Sequence, residues 1–143
     1  MRDLNKASNI LKPAQLKDLP IKVLQLDVTD DTSVYQATQY IEKNENRIDL
    51  LVNNAGYTQL GAVEDLSSEE IQAQFNTNVF GIFRTIRKVV TIMRRQEDGG
   101  TIINIGSANG FFGVPCASAY VSSAILGVEF IQGHSDLHWI SLS

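Results

Sequence analysis

Two short apolar runs, residues 48–52 (IDLLV) and 101–105 (TIINI), most constrain what this chain can fold into. Each is too short for a helix and stops at small or polar residues. Asn53-Asn54-Ala55-Gly56 follows the first, and Gly106-Ser107 follows the second. Runs of this kind suit strands buried on both faces, as in parallel sheets. Between them, residues 67–96 carry a long helical pattern through Ile71, Phe75, Val79, Ile82, Phe83, Ile86, Val89, Val90 and Met93. Ser67 and Glu70 form a capping box at its start. Lys88, Arg94 and Arg95 favour the negative end of the helix dipole, and Gly99-Gly100 ends the helix. A further strand is expected at 21–27 (IKVLQLD), where apolar and polar residues alternate, followed by a turn and a helix at 33–44. Residues 117–130 read as another helix. Strands alternating with helices imply an α/β fold with a parallel sheet flanked by helices, whose ligands bind at the carboxyl ends of the strands. Asp27, residues 53–56 and Gly106-Ser107 all fall there.

Composition narrows the function. The 143 residues suffice for one domain, and their net charge of −4 lacks the basic excess of a nucleic-acid binder. The one cysteine, Cys116, excludes an internal disulfide. No stretch reaches the roughly 20 apolar residues of a membrane span. MRDLNKAS lacks the apolar centre of a signal peptide, so a cytoplasmic location is expected.

An ordered set of residues carries more information than any one motif. Asp27 stands in DVTD, NNAG occupies 53–56, Asn78 stands in NVFG, and Tyr120 follows Ser107 by thirteen positions. Singly, these read as turn formers, a polar helix residue and a buried aromatic. Together, over residues 1–130, they resemble the classical short-chain dehydrogenase/reductase family. The resemblance implies a partial NAD(P)-binding Rossmann-like domain at 1–130, with residues 131–143 a non-family tail. It implies that Asp27 binds the adenine with Val28 beside it, and that Asn53, Asn54, Ala55 and Gly56 let backbone approach the cofactor. It also implies catalytic roles for Ser107, Tyr120 and Asn78. Serine would polarise a carbonyl while tyrosine exchanges the proton during hydride transfer.

The chain departs from the family pattern in three places. Ala124 stands four residues after Tyr120, where the family has a lysine that lowers the tyrosine pKa, and no lysine follows Lys88. No T-G-x-x-x-G-x-G turn, the family's pyrophosphate site, precedes residue 21. Met1-Arg2-Asp3-Leu4 resembles the end of the family's second strand, which sets Arg2 where many members hold the 2′-phosphate and favours NADP over NAD. The tail, IQGHSDLHWISLS, has little periodicity. His134 and His138 sit four apart but lack a metal-site context, so no metal is expected.

These readings predict an NAD(P)-dependent oxidoreductase that interconverts an alcohol with a ketone or aldehyde, present as a truncated chain with little activity and impaired cofactor binding. The alternatives are a non-catalytic dimerisation partner and a nucleotide-binding fragment. The substrate is expected to be a small apolar carbonyl or alcohol, with Phe111, Phe112, Val114 and Pro115 lining its pocket. The helix at 67–96 is expected to mediate homo- or hetero-oligomers. With the family's first two strands missing, residues 21–27 are expected to pair directly and in parallel with 50–53, or else to leave residues 1–45 poorly anchored.

Overall fold

Side chains that satisfy orphan backbone groups set the helix ends. The computed structural model describes residues 2–129 and 137–142. A single 3₁₀ turn, Leu4–Lys6, leads into α1 (Ser8–Leu16). Asp30 caps α2 (Asp31–Glu45) by accepting from the Thr32 amide at 2.8 Å. That helix ends at Asn46, whose φ of 59° is the left-handed conformation asparagine tolerates. Strand β1 (Leu50–Asn53) follows. The Ser67–Glu70 capping box then opens α3 (Ser68–Phe75). A π-turn, Asn76–Phe80, joins α3 to α4 (Gly81–Met93). Next come β2 (Gly100–Ile105), α5 (Ser118–Glu129) and β3 (Leu137–Leu142).

The helical pattern at 67–96 is thus continuous but not uniform. A π-turn adds a residue to one turn and disturbs the i→i−4 ladder. Arg84 reaches the carbonyl of Asn76 at 3.3 Å and that of Val28 at 3.4 Å, tying this turn to the segment before α2.

The sheet has three parallel strands in the order β1-β2-β3. Leu50 pairs with Thr101 and Gly100 pairs with Leu137. Helix α4 buries Gly81, Thr85, Val89, Ile92 and Met93, positions three to four apart on one stripe. Val89 and Met93 pack on Ile102, with Ile48, Leu51 and Ile86 around them, and this is the main apolar cluster. Side chains alternate along a strand, so Leu50 and Val52 point away from that cluster and are 52% and 47% exposed. Helix α2 packs on α4 rather than on the sheet.

Two sequence expectations need correction. Residues 21–27 form no strand, so the expected pairing with 50–53 is absent. Packing decides the matter. Val28 seats on Gly81 of α4, where a Cβ would come within 2.8 Å of Val28 Cγ2. Lys22 pairs with Glu45 at the end of α2. A cavity of about 90 Å³, lined by Leu26 and Val28 on one side and by Leu51, Val52 and Asn53 on another, separates the segment from β1. The third strand comes instead from residues 137–142, in the region where periodicity was weak. His138 lies on that strand, so the helical spacing invoked for a histidine pair does not hold there, and His134 lies outside the described residues.

Candidate functional site

Residues following β1 and β2 meet the π-turn and the start of α5 at one end of the sheet. Asn53, the last residue of β1, is buried. Its Nδ2 donates to Asn104 Oδ1 at 2.8 Å, and its Oδ1 accepts from Thr85 Oγ1 at 2.7 Å. Strands β1 and β2 and helix α4 are therefore cross-linked just below the strand ends. Sequence reading singled out Asn53 but neither Thr85 nor Asn104.

The chain then turns through Asn54-Ala55-Gly56 into a loop held by side-chain amides. Asn78, in the π-turn, accepts from the Tyr57 amide at 3.1 Å and donates to the Tyr57 carbonyl at 3.0 Å. Its second Nδ2 hydrogen goes to Ser123 Oγ at 3.1 Å. Ser123, 1% exposed, passes its own hydrogen to the Tyr120 carbonyl at 2.8 Å. Gln74, fully buried one turn earlier, accepts from the Gln59 amide at 2.6 Å and donates to the Tyr57 carbonyl at 2.5 Å. A side chain at Gly56 would place its Cβ 3.3 Å from Asn78 Oδ1, tighter than ordinary contact, so glycine lets the loop close on the helix.

These elements enclose a cavity of about 230 Å³. Asn78, Ser107, Tyr120 and Ala124 all line it, together with residues 53–56. Ser107 Oγ accepts from the Asn109 amide at 3.2 Å, which leaves its O–H to donate into the cavity. No lysine or arginine is among the lining residues. A second cavity, about 330 Å³, is lined by Arg2, Leu26, Asp27, Val28 and Thr77 and shares Ala55, Gly56 and Tyr57 with the first. The Thr29 amide at 2.9 Å and the Thr29 hydroxyl at 2.7 Å hold the Asp27 carboxylate below its ordinary pKa, with a smaller contribution from the charge of Arg2.

Sequence reading placed Phe111, Phe112, Val114 and Pro115 in the substrate pocket. None of them lines either cavity, and Phe111 and Phe112 are 62% and 71% exposed. Gln74 and Ser123 were missed, because a small or polar residue on a helix has no pattern that distinguishes a buried clamp from a solvated face.

The profile of the family described as short chain dehydrogenase matches residues 2–136. The chain is 37% identical over 116 residues to a 3-ketodihydrosphingosine reductase of Bacteroides thetaiotaomicron, covering 81% of this chain and 41% of that protein. It is 36% identical over 133 residues to retinol dehydrogenase 8 of Bos taurus, covering 92% of this chain and 42% of that protein. A solved short-chain dehydrogenase from Streptomyces avermitilis superposes with a TM-score of 0.84 at 28% identity, covering 99% of this chain and 53% of that one. The chain therefore spans less than half the length of these two curated relatives.

Proposed function

The chain belongs to the short-chain dehydrogenase family, and from that membership we propose that its strand-end cavity is the carbonyl and nicotinamide site of an NAD(P)-dependent oxidoreductase. The reaction is the interconversion of an alcohol with a ketone or aldehyde. The observation that carries this reading is the meeting of Asn78, Ser107 and Tyr120 around one cavity at the carboxyl ends of parallel strands. Ser107 donates its O–H to the substrate's carbonyl oxygen. Tyr120 holds, at its phenolic oxygen, the proton that this oxygen takes up on reduction and returns on oxidation. Asn78 positions rather than relays, since its side-chain oxygen and both amide hydrogens are committed to Tyr57 and Ser123.

A dinucleotide suits the pair of cavities that share Ala55, Gly56 and Tyr57. Its nicotinamide end, the hydride donor or acceptor when bound, belongs with Ser107 and Tyr120. Its adenosine end belongs with Asp27 and Val28, and Arg2 beside them favours NADP over NAD. The sequence holds no glycine-rich turn for the pyrophosphate and no lysine at 124, so this chain by itself binds cofactor weakly and turns over slowly or not at all.

Fluorescence titration with NADPH tests binding, and reduction of simple ketones tests turnover. Weak quenching, abolished by Asp27→Ala, and negligible reduction are expected. Ala124→Lys alone does not restore turnover. Robust reduction by the purified chain, unchanged in Tyr120→Phe, would overturn the assignment.

The outer face of α3 and the π-turn supports a second, compatible reading. Ile71, Ala73, Phe75 and Phe80 line an open depression there, and Phe80 is 52% exposed. This face is suited to pairing with another copy or a longer relative, and sedimentation velocity of the chain would test it.

A further inference from the structure

Two loops border the cavity, and each carries both polar and apolar residues. The first, after β1, supplies Tyr57 and Thr58 to the cavity lining and then presents Leu60 and Val63, 67% and 64% exposed. The second, after β2, supplies Ser107 and then presents Phe111, Phe112 and Val114, 62%, 71% and 37% exposed. The loops run side by side where Gly61 bridges Ala117 and the Gly61 amide donates to the Cys116 carbonyl at 2.8 Å. Two adjoining loops therefore offer a polar, uncharged cavity and an apolar border to the same visitor. Exposed apolar side chains grouped in this way cost solvation and mark a place where apolar surface is covered on binding.

We infer that the substrate is a neutral long-chain amphiphile, whose carbonyl or hydroxyl head enters the Ser107–Tyr120 cavity while its alkyl chain lies over Leu60, Val63, Phe111, Phe112 and Val114. The inference rests on the oxidoreductase reading and adds the substrate class to it. The head must be uncharged on two grounds. The cavity lining holds no charged side chain of either sign, so neither an anion nor a cation finds a counter-charge there, and the exposed carboxylates Glu64 and Asp65 on the first loop repel an anion further. The chain must extend outward because the cavity, at about 230 Å³, is shared with the nicotinamide end and leaves room for a head group only.

The test uses the full 143-residue chain and a series of methyl ketones from 2-butanone to 2-decanone, with decanoate as the anionic control. Binding is read by saturation-transfer NMR and calorimetry. The dissociation constant should fall about two- to fourfold per added methylene, as expected for alkyl burial on an open apolar surface. Decanoate should bind at least tenfold more weakly than 2-decanone. The double variant Phe111→Ser/Phe112→Ser should flatten the dependence on chain length and leave 2-butanone within about twofold. Leu60→Ser/Val63→Ser, on the other loop, should do the same independently. Both pairs are exposed, and unchanged circular dichroism would show that the fold is retained. Binding of 2-butanone with no gain for longer ketones would overturn the inference and leave the oxidoreductase reading standing. A chain-length dependence that survives both double variants would also overturn it, because the alkyl chain would then lie elsewhere. Failure of every ketone to bind would overturn both.

Discussion

Three side-chain amides take up backbone groups at the two ends of β1. Gln96 accepts from the Ile48 amide at 2.7 Å and donates to the Ile48 carbonyl at 3.0 Å, fixing the entry. Gln74 and Asn78 fix the exit by holding Tyr57 and Gln59. Only Asn78 could be picked out from the sequence, through its place in an ordered motif set. A helical glutamine reads as a solvated residue until packing shows it fully enclosed. Gln74→Leu should therefore cost about 1–3 kcal/mol, the penalty for stranding a buried amide. The exposed neighbour Gln72→Leu should stay within about 0.5 kcal/mol. Urea unfolding of the two variants checks the contrast, and equal midpoints would contradict it. Asp27 offers a second test. Its folded pKa is depressed by the Thr29 bonds, so its contribution is fully present above the unfolded value of about 3.9. The contribution is lost as pH falls through the lower folded value. A carboxyl-carbon NMR titration should give a midpoint below about 3.9, and Thr29→Ala should move it upward.

Element boundaries followed legible signals where a side chain caps a helix, and departed from them where a neighbour was decisive. The Ser67–Glu70 box was readable and opens α3, while the Asp30 cap starts α2 two residues before the expected 33. The alternation at 21–27 was equally readable, yet those residues form no strand. Alternation reports which side chains can face a core, whereas a strand also needs a partner edge, and Val28 is drawn onto α4 at Gly81 instead. This contact makes Gly81→Ala informative. Helix propensity alone would favour alanine by up to about 1 kcal/mol. The added Cβ would stand 2.8 Å from Val28 Cγ2, on a β-branched side chain with little freedom to turn away. Net destabilisation is expected, with segment 26–28 displaced from α4. Val28→Ala in the Gly81→Ala background should recover part of the loss. A Gly81→Ala protein with a higher melting temperature would show that Val28 yields to the added Cβ at no net cost.

The molecule as a whole keeps one well-covered sheet face and leaves β1 as an edge. The parallel α/β class was legible because buried strands and an amphipathic helix alternate along the chain. The strand order was not, since weak periodicity at 137–142 gave no sign of pairing, and that segment is the neighbour of β2. Among the described residues no strand lies on the outer side of β1. Its backbone there is a template for another chain, and Leu50 and Val52 add exposed apolar surface beside it. Native sheets usually blunt such an edge with charge, a bulge or a cover. A nearby candidate, segment 26–28, stands off across a cavity of about 90 Å³. The isolated chain should therefore self-associate as its concentration rises, with β1 as the contact. Leu50→Lys places a charge on the edge strand away from the Val89–Met93–Ile102 cluster, so it should leave the core intact and raise the concentration at which light scattering begins. A matched lysine at the exposed Gln36, on α2, should not shift that onset. If Leu50→Lys aggregates as readily as the parent while Phe80→Lys does not, association runs through the α3 and π-turn face, and the open edge of β1 is not what brings the chains together.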